Sequence, residues 1–239
     1  MRTFVLAMSL YPEVQKKAQK IVDAAIGGER LPDFSDFGSI PYIDAIISEV
    51  LRWKPPLPLS IPHGATEDDH YNGFLIPKGS IVVANICAVL QDEKVYGPST
   101  DRFIPERFMT EAGKVNPNLS SDAAFGYGRR QCPGKGATNR SFQCFPMLIF
   151  ILVMAKELMW IAITSILATF DIHSPVDKDG VPLKLTVDYG PIGNLKYVRH
   201  LFCWREFDLD FCSILAIHLT LNARLCLARL KLNRWLKTL

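Results

Sequence analysis

The chain carries 239 residues, 49% hydrophobic and 21% charged, with a net charge of +3. That is a globular composition, long enough for one large domain or two small ones, and no nucleic-acid partner is expected from it. The six cysteines, Cys87, Cys132, Cys144, Cys203, Cys212 and Cys226, follow no framework spacing. This excludes a disulfide-stapled scaffold and points to reduced thiols in an intracellular or cytosol-facing chain. The first eight residues are too short and too polar-flanked for a signal peptide, and no repeat or low-complexity run is present. Charge is uneven: residues 194–239 hold eight Lys/Arg against three Asp/Glu, residues 1–193 hold 19 against 21. Composition therefore changes near Gly193.

Residues 1–10 read as the end of a helix that begins upstream. Pro12 suits the first turn of a second helix, whose apolar stripe is Val14, Ala18, Ile21, Val22 and Ala25 and which stops at Gly27-Gly28. Ser39 is expected to cap a third helix with Pro41 in its first turn. There Ile43, Ile46, Ile47, Val50 and Leu51 follow the i, i+3, i+4, i+7, i+8 pattern of one buried face. Glu49 and Arg52 lie on the opposite face. On spacing alone they read as a solvated pair worth ~0.2–0.5 kcal/mol. Residues 73–76 and 80–84 read as two strands around a Pro77-Lys78-Gly79 turn, and so as a hairpin.

The most informative stretch is Phe125-Gly126-Tyr127-Gly128-Arg129-Arg130-Gln131-Cys132-Pro133-Gly134. It sets one cysteine in a loop with three glycines, two arginines and no acid. Glycine lets the backbone take positive φ and turn its N–H groups inward. Inward N–H groups and nearby arginines favour the thiolate, which is a metal ligand or a nucleophile. Six fixed positions at roughly 5% per residue type match by chance about once in 10⁸ starts.

These ten residues resemble the haem-binding signature of the cytochrome P450 family, the haem-thiolate monooxygenases. The resemblance implies that Cys132 is the axial ligand of the iron of haem b (iron protoporphyrin IX), its electron density pushing toward O–O cleavage. It also implies that Arg130 pairs with a haem propionate, that Phe125 shields the sulfur side, and that Gly126, Gly128 and Gly134 shape the loop. Zinc, the competing metal, needs clustered ligands such as Cys-x-x-Cys, and the nearest other cysteine is Cys144.

Two further motifs stand in family order. Glu49-x-x-Arg52 ahead of Trp53-Lys54-Pro55-Pro56 is similar to the family's Glu-x-x-Arg helix, and Pro105-Glu106-Arg107-Phe108 to its Pro-Glu-Arg-Phe segment. The resemblance implies that Glu49, Arg52 and Arg107 form a buried network. Residues 57–63 are similar to a family strand that borders the substrate pocket, and His63 stands where the family places a propionate-binding His or Arg; the other reading is an exposed loop histidine. Residues 92–96 and 101–103 fit the meander before the haem loop. The helix that crosses the distal haem face and carries the oxygen-side acid–alcohol pair is expected to be absent apart from its last turn. No catalytic residue beyond the haem ligand is therefore expected.

After Cys132 the pattern breaks. Residues 133–136 start the haem-side helix and residues 157–172 are similar to its remainder, but the hydrophobic stretch 137–156 matches nothing in the family. One reading of residues 146–170 is a membrane span, since ~20 apolar residues cross a bilayer. Lys156 and Glu157 interrupt it, however, and a central Lys costs ~2.5–3.5 kcal/mol. The favoured reading is a translated intron. Residues 194–239 form an unmatched basic tail, read as read-through. Residues 224–239 read either as a basic amphipathic helix on a membrane surface or as a frayed end.

The expected fold is thus mainly α with small β-sheets, the C-terminal half of the cytochrome P450 fold over residues 1–193. The implied chemistry is insertion of one oxygen atom from O₂ into a small organic substrate. Electrons would come from an NADPH-dependent reductase, in an enzyme facing the cytosol on the endoplasmic reticulum membrane. The chain as written is expected to be catalytically incomplete. The alternatives are a non-catalytic haem-binding fragment and a membrane-inserted remnant without haem.

Overall fold

The structure, a computed structural model, describes residues 1–28, 30–132, 155–174, 181, 185, 188–189 and 195–196. Six helices and six short strands lie among them. Helix α1 (Arg2–Leu10) turns at Tyr11 into α2 (Pro12–Ile26), with Pro12 at a first-turn position where its missing N–H is no loss. A 3-10 turn, Phe34–Asp36, is closed by a capping box between Asp33 and Asp36. Then come α3 (Pro41–Trp53), α4 (Ile86–Leu90), α5 (Glu93–Tyr96) and, beyond residue 154, α6 (Ala155–Thr169).

The main core is built by α1, α2, α3 and α6, with Phe4, Leu6, Ala18, Ile43, Ile46, Trp160, Ile163 and Leu167 fully or almost fully buried. Each fully buried Leu, Ile or Phe among them contributes about 1.5–3 kcal/mol of transfer free energy. Tyr11, Trp53 and Phe103 add a cluster of rings with centroids 5.6–5.9 Å apart. A second, smaller cluster gathers Ala45, Ile86, Leu90, Tyr96 and Phe108 on the other side of α3.

The strands pair in three separate two-stranded antiparallel sheets. β1 (His63–Gly64) pairs with β4 (Ile81–Val82), β2 (Asp69–Tyr71) with β3 (Phe74–Ile76), and β5 (Asp188–Tyr189) with β6 (Leu195–Lys196). The expected hairpin about Pro77-Lys78-Gly79 is corrected here. The turn exists, with Ser80 N–H donating to Pro77 C=O at 3.0 Å, but β3 and β4 do not pair with each other. The tight hairpin is β2–β3, because Asn72 and Gly73 both take positive φ, 50° and 82°, as a two-residue turn matching strand twist requires. The Asn-Gly dipeptide was the signal for it. The β5–β6 pairing also crosses the compositional change near Gly193.

Other expectations shift in detail. Ser39 does not cap α3: Ile40, itself buried, holds the N-cap position and makes no side-chain cap. In α2, Ala25 is exposed and Gln15 is buried. The Gln15 amide holds the Ile172 backbone at both ends, donating to its carbonyl (2.9 Å) and accepting from its N–H (2.7 Å). Of residues 57–63 only His63 is strand, while Leu57, Leu59 and Ile61 are exposed. Among the described residues no helix is long and apolar enough to cross a membrane. α6, 15 residues or about 22 Å, packs against α2 and α3.

The face of α3 opposite its apolar stripe is not solvated. Glu49 and Arg52 are fully buried, joined by Arg52 Nε–H and Nη2–H to the Glu49 carboxylate at 2.7 and 2.9 Å. Arg107 Nε–H donates to the same carboxylate at 3.1 Å and the Ile104 N–H at 2.8 Å. Arg52 also donates to the carbonyls of Leu90, Thr100 and Arg102, and Arg107 to those of Tyr96 and Ser99. Removing one member of a buried ion group leaves charge and carbonyls unmatched inside the protein. Arg107→Ala should therefore lower unfolding free energy by about 3 kcal/mol or more. Urea unfolding measures it; a wild-type midpoint would mean that the three side chains carry no structural weight.

Candidate ligand site at Cys132

A 3-10 turn, Asp122–Phe125, delivers the chain to the glycine loop. This turn packs on α4, and Phe125 lies partly buried against the main core. Gly126 follows at φ 79°, Tyr127 is extended, and a second 3-10 turn, Gly128–Arg130, opens with Gly128 at φ 62°. A Cβ built on either glycine meets nothing within 4 Å. These glycines are thus needed for the left-handed backbone rather than for space.

The loop closes on itself. Cys132 N–H donates to Phe125 C=O at 2.8 Å and Gln131 N–H to Gly128 C=O at 3.1 Å. The Gln131 side-chain amide donates to Gly126 C=O at 3.1 Å. Cys132 ends this ring as an exposed free thiol. The base of the loop is anchored in apolar contacts while Tyr127 and Cys132 face outward. One outward thiol in a glycine-turned loop fits a single axial thiolate to haem iron. Among the described residues no three His, Cys, Asp or Glu side chains gather as a zinc site needs.

The expected site residues divide as follows. Phe125, Gly126, Gly128 and Cys132 are brought into one loop, with the Arg130 backbone in its second turn. Gly134 lies outside the described residues, as does the start of the haem-side helix. Glu49, Arg52 and Arg107 meet, as described above. His63 is exposed on β1, opposite Val82. β4 leads through Ala84 into α4, which packs on the Asp122–Phe125 turn.

Sequence reasoning used Lys156, the last residue of the stretch 137–156, only as an interruption of a candidate span and missed its contacts. It stands in the first turn of α6 and donates to Asp122 Oδ1 at 3.1 Å, with its ammonium 5.9 Å from the Phe125 ring centroid. Such a cation–π contact at a partly exposed site is worth about 0.5–1 kcal/mol. The charged pair Lys156-Glu157 at the end of an apolar run was the available signal.

Facing the same lysine is Asp44, in the first turn of α3. Burial pushes its carboxyl up to about 6, against the opposing pull of Lys156. A raised carboxyl stabilises the fold below the unfolded value, about 4, and that stability is lost as pH rises through 6. Asp44→Asn should therefore melt higher than wild type at pH 7–8, with the advantage vanishing by pH 4. Asp33, Asp36 and Glu106, held below the usual range by their hydrogen bonds, are common to both chains and cancel in the difference. Melting curves from pH 4 to 8 check it; a difference constant with pH would contradict it.

The family profile of cytochrome P450 matches residues 1–149. The chain is 50% identical over 181 residues to the cytochrome P450 monooxygenase eriA of Hericium erinaceus, covering 76% of this chain and 31% of that protein. It is 43% identical over 189 residues to a cytochrome P450 monooxygenase of Armillaria gallica (79% and 33%). It is 46% identical over 178 residues to the cytochrome P450 monooxygenase claR of Ampulloclitocybe clavipes (74% and 30%). The chain thus spans about a third of the length of these relatives. Matched over most of its length to one profile and to proteins of one name, this chain belongs to the cytochrome P450 family.

Proposed function

We propose that the chain is a C-terminal, haem-side part of a haem-thiolate monooxygenase in which Cys132 is the axial iron ligand. The observation that carries this reading is the loop itself: an exposed free thiol whose backbone is tied to Phe125, at the end of two glycine-dependent turns. Bound haem supplies the activation of O₂ that lets one oxygen atom enter an organic substrate.

The residues of the chain provide the rest of that side of the site. Cys132 offers the sulfur, with its N–H committed to Phe125 so that the loop holds it in place. Phe125, half-buried, covers the sulfur side from the protein interior and limits water there. Arg130 and His63 are the proposed partners of the two propionates. His63, being exposed on a strand edge, is free to turn toward a bound carboxylate. Gly126, Gly128 and Gly134 give the loop its path. Glu49, Arg52 and Arg107 carry no chemistry and fix the framework on which the loop stands. An NADPH-dependent reductase, a small organic substrate and attachment to a membrane are proposed for the monooxygenase as a whole. Oxygen insertion by this chain alone is not expected.

Carbon monoxide difference spectra of the haem-loaded chain test the ligand. Wild type and Cys87→Ala should show the Soret band of a thiolate-ligated carbon monoxide complex, and Cys132→Ser should lose it. Retention of that band by Cys132→Ser would overturn the reading.

A further inference from the structure

We propose that Lys156 is a positioning residue for Cys132, an inference that rests on Cys132 being the iron ligand. Asp122 and Phe125, the first and last residues of the turn that opens the loop, both meet this one ammonium, at 3.1 Å and 5.9 Å. The carbonyl of Phe125 in turn accepts the N–H of Cys132 at 2.8 Å. A single cation on α6 therefore grips both ends of the turn, and the far end sets the backbone of the ligand.

The same geometry separates this role from a part in building α6. That helix is seated by Trp160, Ile163 and Leu167 in the main core, and its C-terminal end is tied by Gln15 to Ile172 and by Gln19 to Phe170 and Asp171. None of these contacts involves Lys156. Its partnership with Asp122 is partly exposed, with side-chain exposures of 39% and 33%. Pairs so open to water add little to global stability. What the pair can do is local: fix the angle of the turn from which the loop departs. Asp44, on α3, also feels the charge of Lys156.

The test uses the full chain with Lys156→Met, which keeps length and loses charge, Lys156→Arg, which keeps charge, and Asp122→Asn, which removes the same contact from the loop side. Hydrogen exchange is read on the haem-free chain. Lys156→Met and Asp122→Asn should each speed exchange of the Cys132 amide about fivefold, with residues 160–169 unchanged, and Lys156→Arg should restore wild-type protection. After haem loading, Lys156→Met should lower the thiolate-ligated fraction in the carbon monoxide spectrum, and Lys156→Arg should recover it. Unchanged exchange at Cys132, or equal acceleration in α6 and the loop, overturns the proposal. Cys132→Ser, run alongside, reports on the ligand reading separately. If it keeps the thiolate band, that reading fails, whereas the exchange arm judges Lys156 without haem.

Discussion

One carboxylate without access to water governs the arrangement of this chain. Glu49 sits in α3 with its oxygens fully occupied by two guanidiniums and a backbone N–H. Burying an ion costs several kcal/mol, offset only when its hydrogen bonds are complete. Two of the four bonds come from its own helix. The other two come from residues 104 and 107, so the fold is acceptable only if the chain returns to α3 there. The same arginines solve a second problem. Between α4 and the 3-10 turn at Pro105–Phe108 the only regular element is the four-residue α5, and buried carbonyls at helix ends and in loops need donors. Arg52 and Arg107 provide them at five positions, and the surplus positive charge of two arginines on one glutamate is met by those carbonyl dipoles.

This network reaches the ligand loop through Tyr96. Its ring lies 5.7 Å from the Arg52 guanidinium, and its hydroxyl donates to the Ser120 carbonyl at 2.8 Å. Two residues on begins the turn that ends at Phe125. Burial raises the Tyr96 hydroxyl above its usual range, so it stays a donor at neutral pH. From a buried carboxylate to an exposed thiol the path is thus a succession of short, directional contacts rather than a single packed surface.

How much of this was legible in the sequence depended on the range of the forces involved. The helices were readable because their signals are local: Pro12 and Pro41 in first turns, and the apolar spacing of Ile43, Ile46, Ile47, Val50 and Leu51. The loop was readable because glycine at Gly126 and Gly128 answers to backbone conformation alone. Strand pairing was misread at Pro77-Lys78-Gly79. A turn fixes a change of direction, but partners are chosen by which edges come together, and β1 lies far back in the chain. The burial of Glu49 and Arg52 was invisible to spacing, since both faces of α3 are covered and only a second motif, at Arg107, hinted at it. Gln15 was hidden for a related reason: a polar residue inside an apolar stripe carries no mark of a distant backbone such as Ile172. Lys156 was passed over because it stood at the end of a run with no familiar pattern.

The chain leaves the loop at Cys132, hydrogen-bonded to Phe125, and the described structure resumes at α6, where Lys156 stands over the ring of that same Phe125. The two flanks of residues 133–154 therefore meet one residue, through its carbonyl on one side and its ring on the other. Closing a segment on itself costs entropy that grows only with the logarithm of its length, about 0.6 kcal/mol per doubling for a flexible chain. Two anchors on one residue make the length between them a nearly free variable. Evolution, or an engineer, can lengthen or shorten the chain there while the sulfur and the helix keep the same point of reference.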